Sequence, residues 1–164
     1  MTAPLGVLCP SIRRNALVMS FIGSVGVLMS GSGLKEILSS TFAGAEKMLL
    51  GKKFPMNLRA FRFIVIELLR GHVERMSSYD ELELWFSQLC KKSVLAEHWF
   101  KNLIKPLFLM LLYVRAEREG EFGLHLYACN QMMPYFFAAG HFNSARYWLC
   151  YINSMEKLPH LNLF

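Results

Sequence analysis

The fold is decided by the segment Met133–Pro159, MPYFFAAGHFNSARYWLCYINSMEKLP, which is the densest aromatic stretch of the chain. Gly140 ends one helical pattern, and we expect Asn143 or Ser144 to cap the next helix by accepting a hydrogen bond from a main-chain amide. Apolar residues then recur at the three- and four-residue spacing of one helix face, namely Ala145, Trp148, Ile152 and Met155. The segment therefore predicts two helices that are separated at Gly140.

The same segment contains the candidate site, a cluster of four residues that is either structural or binding: His141, Asn143, Arg146 and Tyr147. Arg146 lies in the first turn of the predicted helix, where the helix dipole disfavours a cation, so we expect it to have a carboxylate or aromatic partner. The favoured interpretation is a structural clamp in which Asn143 caps, Arg146 pairs and His141 bonds to main chain. A catalytic or ligand-binding role is the alternative, and the structural interpretation is favoured over it because structural ion pairs also produce such clusters.

A resemblance accompanies this cluster. The motif His141-Phe142-Asn143-Ser144-Ala145-Arg146-Tyr147, followed by Ser154-Met155-Glu156, resembles the H-x-N-Y-A-R-Y…M pattern of an uncharacterised protein family. That family occurs in long, repeat-associated, mobile-element-like open reading frames of invertebrates and fish. Earlier blocks also resemble it, namely Met19–Gly23, Ser30–Leu34, Leu50–Phe54 and Arg59-Ala60.

The resemblance covers roughly Ala16 to Pro159 and departs from the family pattern at two places. Ser144 stands where the family usually has tyrosine, and Asn15-Ala16 stands where a Gly-Gly-x-His run usually precedes the first helix. Family members are much longer, so the resemblance implies that this chain is the C-terminal part of a larger protein. It implies no activity and no cofactor.

Composition favours a chain with a partner. The chain has 164 residues, of which 54% are hydrophobic and 18% are charged, and its mean hydropathy is +0.29. Charged residues usually make up about a quarter of a soluble domain. Either the core is large for this length, or some apolar surface is covered by the missing N-terminal part of the same protein or by another protein chain. The second explanation is favoured because it agrees with the C-terminal position that the resemblance implies.

The net charge of +6 is compatible with nucleic acid, and the candidate phosphate contacts are Arg59, Arg62, Lys91 and Lys92. The basic residues are scattered, however, and solvated helix ends explain most of them. Four cysteines lie far apart without a C-x-x-C motif, which favours a reducing, intracellular location, nuclear or cytoplasmic. We recognise no secretory leader, no hydrolase or phosphate-loop motif, and no metal or cofactor motif.

The predicted fold class is all-α, an irregular bundle of about six to eight helices, with residues 1–11 as an irregular lead and 12–164 as one helical domain. The apolar segment Ala16–Met29 is too short to cross a bilayer and predicts a buried helix, with a short strand over residues 24–28 as the alternative. Gly23 and Gly26 would let another backbone approach closely. The further helices are predicted at Leu34–Phe42, Ala45–Leu50, Asn57–Met76, after Ser78, Ser93–Glu119 and Phe122–Ala139.

Local signals refine these helices. Asn57 is expected to cap the helix that follows it, and Ser78 with Glu81 forms a capping box. Proline should kink or break the helices at Pro106 and Pro134.

The predicted function is a non-catalytic helical interaction or scaffold domain of a mobile-element-like protein. The alternatives are a nucleic-acid-binding module and a buttress for an upstream catalytic domain outside this chain. Membrane association is not favoured.

Overall fold

The computed structural model describes residues 14–50, 52, 54–74 and 78–157. Over these ranges the chain is helical without strands, as the sequence predicts. The α-helices are α1 (Arg14–Leu28), α2 (Leu34–Thr41), α3 (Ala45–Leu49), α4 (Phe54–Val73), α5 (Tyr79–Lys92), α6 (Val94–Trp99), α7 (Lys105–Glu119), α8 (Phe122–Ala138) and α9 (Phe142–Glu156). A π-helical turn, Phe100–Ile104, joins α6 to α7 without a break, so the described ranges contain eight helical rods.

Helix α1 is the buried central helix, and it packs against α3, α4, α8 and α9. Its side chains Phe21, Ile22 and Val25 are inaccessible to solvent. The alternative of a strand over residues 24–28 is wrong, because the hydroxyl of Ser24 donates to the carbonyl of Ser20 one helical turn earlier. The predicted lead at residues 1–11 lies outside the described residues.

The close approach predicted at Gly26 is confirmed. A Cβ atom at this position would lie 2.2 Å from the carbonyl oxygen of Leu49. Helix α3 therefore packs its backbone directly onto α1, and only glycine leaves room for it.

The start of α4 differs from the prediction. The helix begins at Phe54, because Pro55 is compatible with a first helical turn, where its missing N–H has no intrahelical partner. Asn57 is therefore inside the helix and does not cap it. Its buried side-chain amide donates instead to the carbonyl oxygens of Met48 at 2.9 Å and Lys52 at 3.1 Å, which ties α4 to the chain around α3.

The cap of α5 is confirmed. The hydroxyl of Ser78 accepts a hydrogen bond from the amide of Glu81 at 3.3 Å. Ser93 serves α6 in the same way by accepting from the amide of Ala96 at 3.2 Å. Both caps satisfy amides that the first helical turn leaves without a partner.

Neither internal proline breaks its helix. The π turn precedes Pro106. In a π-helix each amide bonds to the carbonyl five residues earlier, so an amide at position 106 would pair with the carbonyl of Lys101. Proline has no amide hydrogen, and the hydroxyl of Tyr135 donates to that carbonyl at 3.2 Å instead. Burial raises the pKa of Tyr135, so the hydroxyl keeps the proton that it donates. Helix α8 likewise continues through Pro134.

The opening segment of the sequence analysis forms the centre of the C-terminal core. Trp148 is fully buried, and its indole N–H donates to the carbonyl of Cys129 at 2.7 Å. Its ring lies 5.6 Å from that of Phe136 and 6.0 Å from that of Tyr113, which joins α7, α8 and α9. The helix face predicted for α9 is confirmed, since Ala145 and Ile152 are buried beside Trp148.

Candidate functional site

His141 links the turn between α8 and α9 to the central helix. Gly140 ends α8 with a φ of 72°, and His141 follows at the N-terminal boundary of α9. The Nδ1 atom of His141 lies 2.8 Å from the hydroxyl oxygen of Ser24, which itself donates to the carbonyl of Ser20. With its proton on the Ser20 carbonyl, the Ser24 oxygen accepts from the His141 tautomer that is protonated at Nδ1, and the other tautomer accepts from the Ser24 hydroxyl. The expected bond from His141 to main chain is therefore replaced by a bond to a side chain of α1.

Ser144 adds a second bond between the same two helices. Its hydroxyl lies 2.6 Å from the hydroxyl of Ser20. The departure from the tyrosine of the resembled pattern thus falls at a helix–helix contact, where a small residue can approach α1. Together, the bonds of His141 and Ser144 hold α9 against α1, through contacts that differ from those of the predicted clamp.

The other three residues of the predicted cluster lie on the exposed side of α9. Asn143 does not cap the helix, which begins one residue earlier and has no side-chain cap. Arg146 is exposed, and within the described ranges it forms no hydrogen bond or ion pair. Tyr147 is 62% exposed. The structure therefore places His141 apart from the other members of the cluster. No carboxylate partner of Arg146 is found within those ranges, and its pairing with an aromatic face stays a prediction.

A polar cluster that sequence reasoning missed lies between α7, α8 and α9. His125 is 6% exposed, with its Nε2 atom 2.8 Å from the hydroxyl of Tyr151 and its Nδ1 atom 3.2 Å from a carboxylate oxygen of Glu117. The sulfur of Cys129 lies 3.5 Å from Nε2 of the same ring. The four-residue spacing of His125 and Cys129 places them on one face of a helix, which the sequence alone could show. Tyr151 joins them only through tertiary packing.

The chemistry of this cluster is that of a buried hydrogen-bonded network. Burial first, and then the negative charge of Glu117, raises the pKa of the Cys129 thiol to about 12. The thiol is therefore protonated at neutral pH, the form that is the weaker nucleophile. Over the part of the chain that the structure describes, no group of three histidine, cysteine or acidic residues could hold a metal ion.

The four candidate nucleic-acid contacts form two pairs on different helices. Arg59 and Arg62 are exposed on α4, three residues apart, so they neighbour each other on one helix face. Lys91 and Lys92 are exposed in the last turn of α5, where cations complement the negative helix end.

An open apolar groove lies between α4 and α7, with a volume of about 430 Å³. Its walls are formed by Val65, Ile66 and Leu69 of α4 and by Leu107, Phe108 and Leu111 of α7. Ile66 is 51% exposed and Phe108 is 46% exposed, although their neighbours Val65 and Leu107 belong to the core. Charged residues flank the groove, namely Arg62, Arg70 and Glu74.

These features define an all-α domain with part-buried polar contacts between α1 and α9 and an open apolar groove. The chain belongs to the family described as "Domain of unknown function (DUF8702)", which matches residues 12–97 and 73–162. This agrees with the expectation of an uncharacterised domain. Comparisons with curated proteins and with solved structures gave no significant match. Among the described helices, none combines the length and hydropathy needed to cross a membrane.

Proposed function

We propose that this chain is a non-catalytic interaction domain that binds another protein in the groove between α4 and α7. The observation that carries the proposal is the half-exposure of Ile66 and Phe108 in a groove whose floor belongs to the core. Covering large apolar side chains removes them from water and contributes about 25 cal/mol for each Å² of apolar surface buried. A continuous apolar groove is therefore a favourable contact surface for a second chain.

The burial of the residues beside His141 and beside His125 supports a structural role for both histidines. Ser24, beside His141, and Cys129, beside His125, are both inaccessible to solvent. A substrate could reach neither hydroxyl nor thiol without displacing core side chains. In addition, the Cys129 thiol is held in its protonated form.

The character of the groove favours a protein partner over nucleic acid. Its walls are aliphatic and aromatic, and Glu74 lies among the flanking charges. A phosphate backbone would gain little from apolar walls and would be repelled by a carboxylate. Lys91 and Lys92 lie in the last turn of α5, where their positive charge stabilises the negative end of the helix.

We further propose that the domain belongs to a larger mobile-element-like protein. The resemblance of the motif His141–Tyr147 supports this origin. In that setting the partner is either another part of the same protein or a separate chain, and the domain acts as a scaffold or as a buttress.

The test is a selection of displayed helical peptides against the purified chain. We expect the selected peptides to lose binding to an Ile66→Glu variant and to keep binding to an Ile37→Glu variant. Both isoleucines are surface residues, 51% and 42% exposed, but Ile37 lies on α2 and does not line the groove. Peptides that bind both variants equally would refute the groove as the binding surface.

A further inference from the structure

The groove has a defined length along α4. Arg62, Ile66, Arg70 and Glu74 follow one another at four-residue spacing, and all of them line it. Residues four apart lie on one helix face, so they form a single stripe. From Arg62 to Glu74 this stripe is about 18 Å long, which equals about three turns of an α-helix.

The two ends of the stripe differ in their electrostatics. At the first end Arg62 has Arg59 one turn away, and neither arginine forms an ion pair with the described residues. At the second end Arg70 donates to the carboxylate of Glu67 at 2.7 Å, and Glu74 lies one turn further along. The first end is therefore positive, whereas the second has its cation balanced by carboxylates.

Between these ends the contact surface is apolar. Ile66 and Phe108 are the half-exposed side chains, and Leu111 lies beside them. An amphipathic helix places apolar residues on such a surface at positions i, i+3 or i+4, and i+7, and it keeps its charged residues at the margins. A helix of about three turns has the same length as the stripe.

We propose that the groove binds an amphipathic α-helix of about three turns that carries acidic residues at the end lying over Arg59 and Arg62. This inference rests on the proposed function and specifies the chemistry of the partner. The partner's apolar face covers Ile66 and Phe108, and its carboxylates pair with the two arginines. Neutralising the positive end adds specificity and orients the helix, because the reverse orientation would bring the carboxylates towards Glu67 and Glu74.

The test uses a displayed library of helices about three turns long with a fixed leucine stripe and randomised flanking positions. The best binder is labelled with fluorescein, and its binding to the purified chain is measured by fluorescence anisotropy. We expect glutamate or aspartate at one end of the selected helices. We also expect the Arg62→Glu variant to bind about tenfold more weakly, and a peptide with the facing acid changed to lysine to recover that loss.

The control is Arg146→Glu, which reverses another exposed arginine, on α9 and away from the groove, that forms no ion pair with the described residues. Circular dichroism melts confirm that every variant is folded. Binders that require Ile66 but show no acidic preference and no effect of Arg62→Glu would overturn this inference and leave the proposed function standing. Binders that are indifferent to Ile66→Glu would overturn both. A loss caused by Arg146→Glu would assign the acidic contact to α9 and overturn the inference.

Discussion

Replacing Gly26 with alanine tests the close approach of α1 and α3. The added Cβ would lie 2.2 Å from the carbonyl oxygen of Leu49 and 3.2 Å from its Cα atom, whereas ordinary contacts begin near 3.4 Å. These are backbone atoms, so no rotation of a side chain can relieve the overlap. Helix α3 has to move by about 1.2 Å, the gap between 2.2 Å and 3.4 Å, and the contacts of Met48 and Asn57 move with it.

Two opposing contributions set the size of the effect. Alanine in place of glycine within a helix ordinarily stabilises a protein by about 0.5–1 kcal/mol. Overpacking a well-packed interior costs about 1–3 kcal/mol, and here the overlap is with backbone. Subtracting the helix gain from the overpacking cost leaves a net loss of about 0–2.5 kcal/mol, and the overlap with backbone favours the upper part of that range. We therefore expect Gly26→Ala to lower the free energy of unfolding by about 1–2.5 kcal/mol. For a chain of this size that corresponds to a fall in Tm of about 2–10 °C.

Gly71 provides the matched control. It lies within α4, and a Cβ at this position would meet no atom within 4 Å. Gly71→Ala should therefore raise the free energy of unfolding by up to about 1 kcal/mol. Urea denaturation followed by circular dichroism measures both variants. Equal shifts for the two variants, or a stabilised Gly26→Ala, would refute the packing of α1 on α3.

Two further predictions follow from buried polar groups. Asn57→Asp removes the amide that donates to Met48 and leaves a buried carboxylate facing carbonyl oxygens. The free energy of unfolding in urea should therefore fall by about 3 kcal/mol or more. Asn153→Asp, at an exposed position, should change that free energy little. Cys129 should resist iodoacetamide at about pH 8 until the chain is unfolded, because burial raises its pKa to about 12. Exposed Cys150 should react at once, as mass spectrometry of the peptides can show, and equal rates in the folded chain would contradict the buried network.

Much of the helical architecture could be predicted from local sequence signals. Ser78 was correctly assigned as a cap because its partner, the amide of Glu81, is only three residues away. The cap predicted at Asn57 failed because that side chain bonds to the preceding segment around α3. The cap predicted at Asn143 failed because α9 begins one residue before it. Local rules therefore identified a cap only where the helix boundary was also predicted correctly, as at Ser78.

The polar clusters depend on distant partners. His141 and Ser24 are 117 positions apart, and Tyr151 reaches His125 from another helix. The sequence displays each polar residue, but it does not show which hydroxyl or carboxylate lies opposite. The main-chain partner expected for His141 was therefore wrong, and its role as a structural clamp stays a prediction.

Helix α4 carries more apolar residues than one buried face requires. Its buried face is formed by five core residues, namely Ala60, Phe61, Ile64, Val65 and Leu69. Phe63, Ile66 and Leu68 are about half exposed at 52%, 51% and 46%. Some of the hydrophobic residues of the chain therefore lie on its surface, as the composition predicts.

A comparison of stability with binding distinguishes a binding surface from an ordinary boundary of the core. If Ile66 served only to complete the packing of α4 on α7, Ile66→Glu would lower stability as well as binding. If its exposed half belongs to a partner, glutamate at that position keeps its charge in water and leaves stability nearly unchanged while binding is lost. Comparing the melting of Ile66→Glu with that of Ile37→Glu therefore separates the two roles. Helix binding lost at unchanged stability is the combination that a purely structural groove cannot produce.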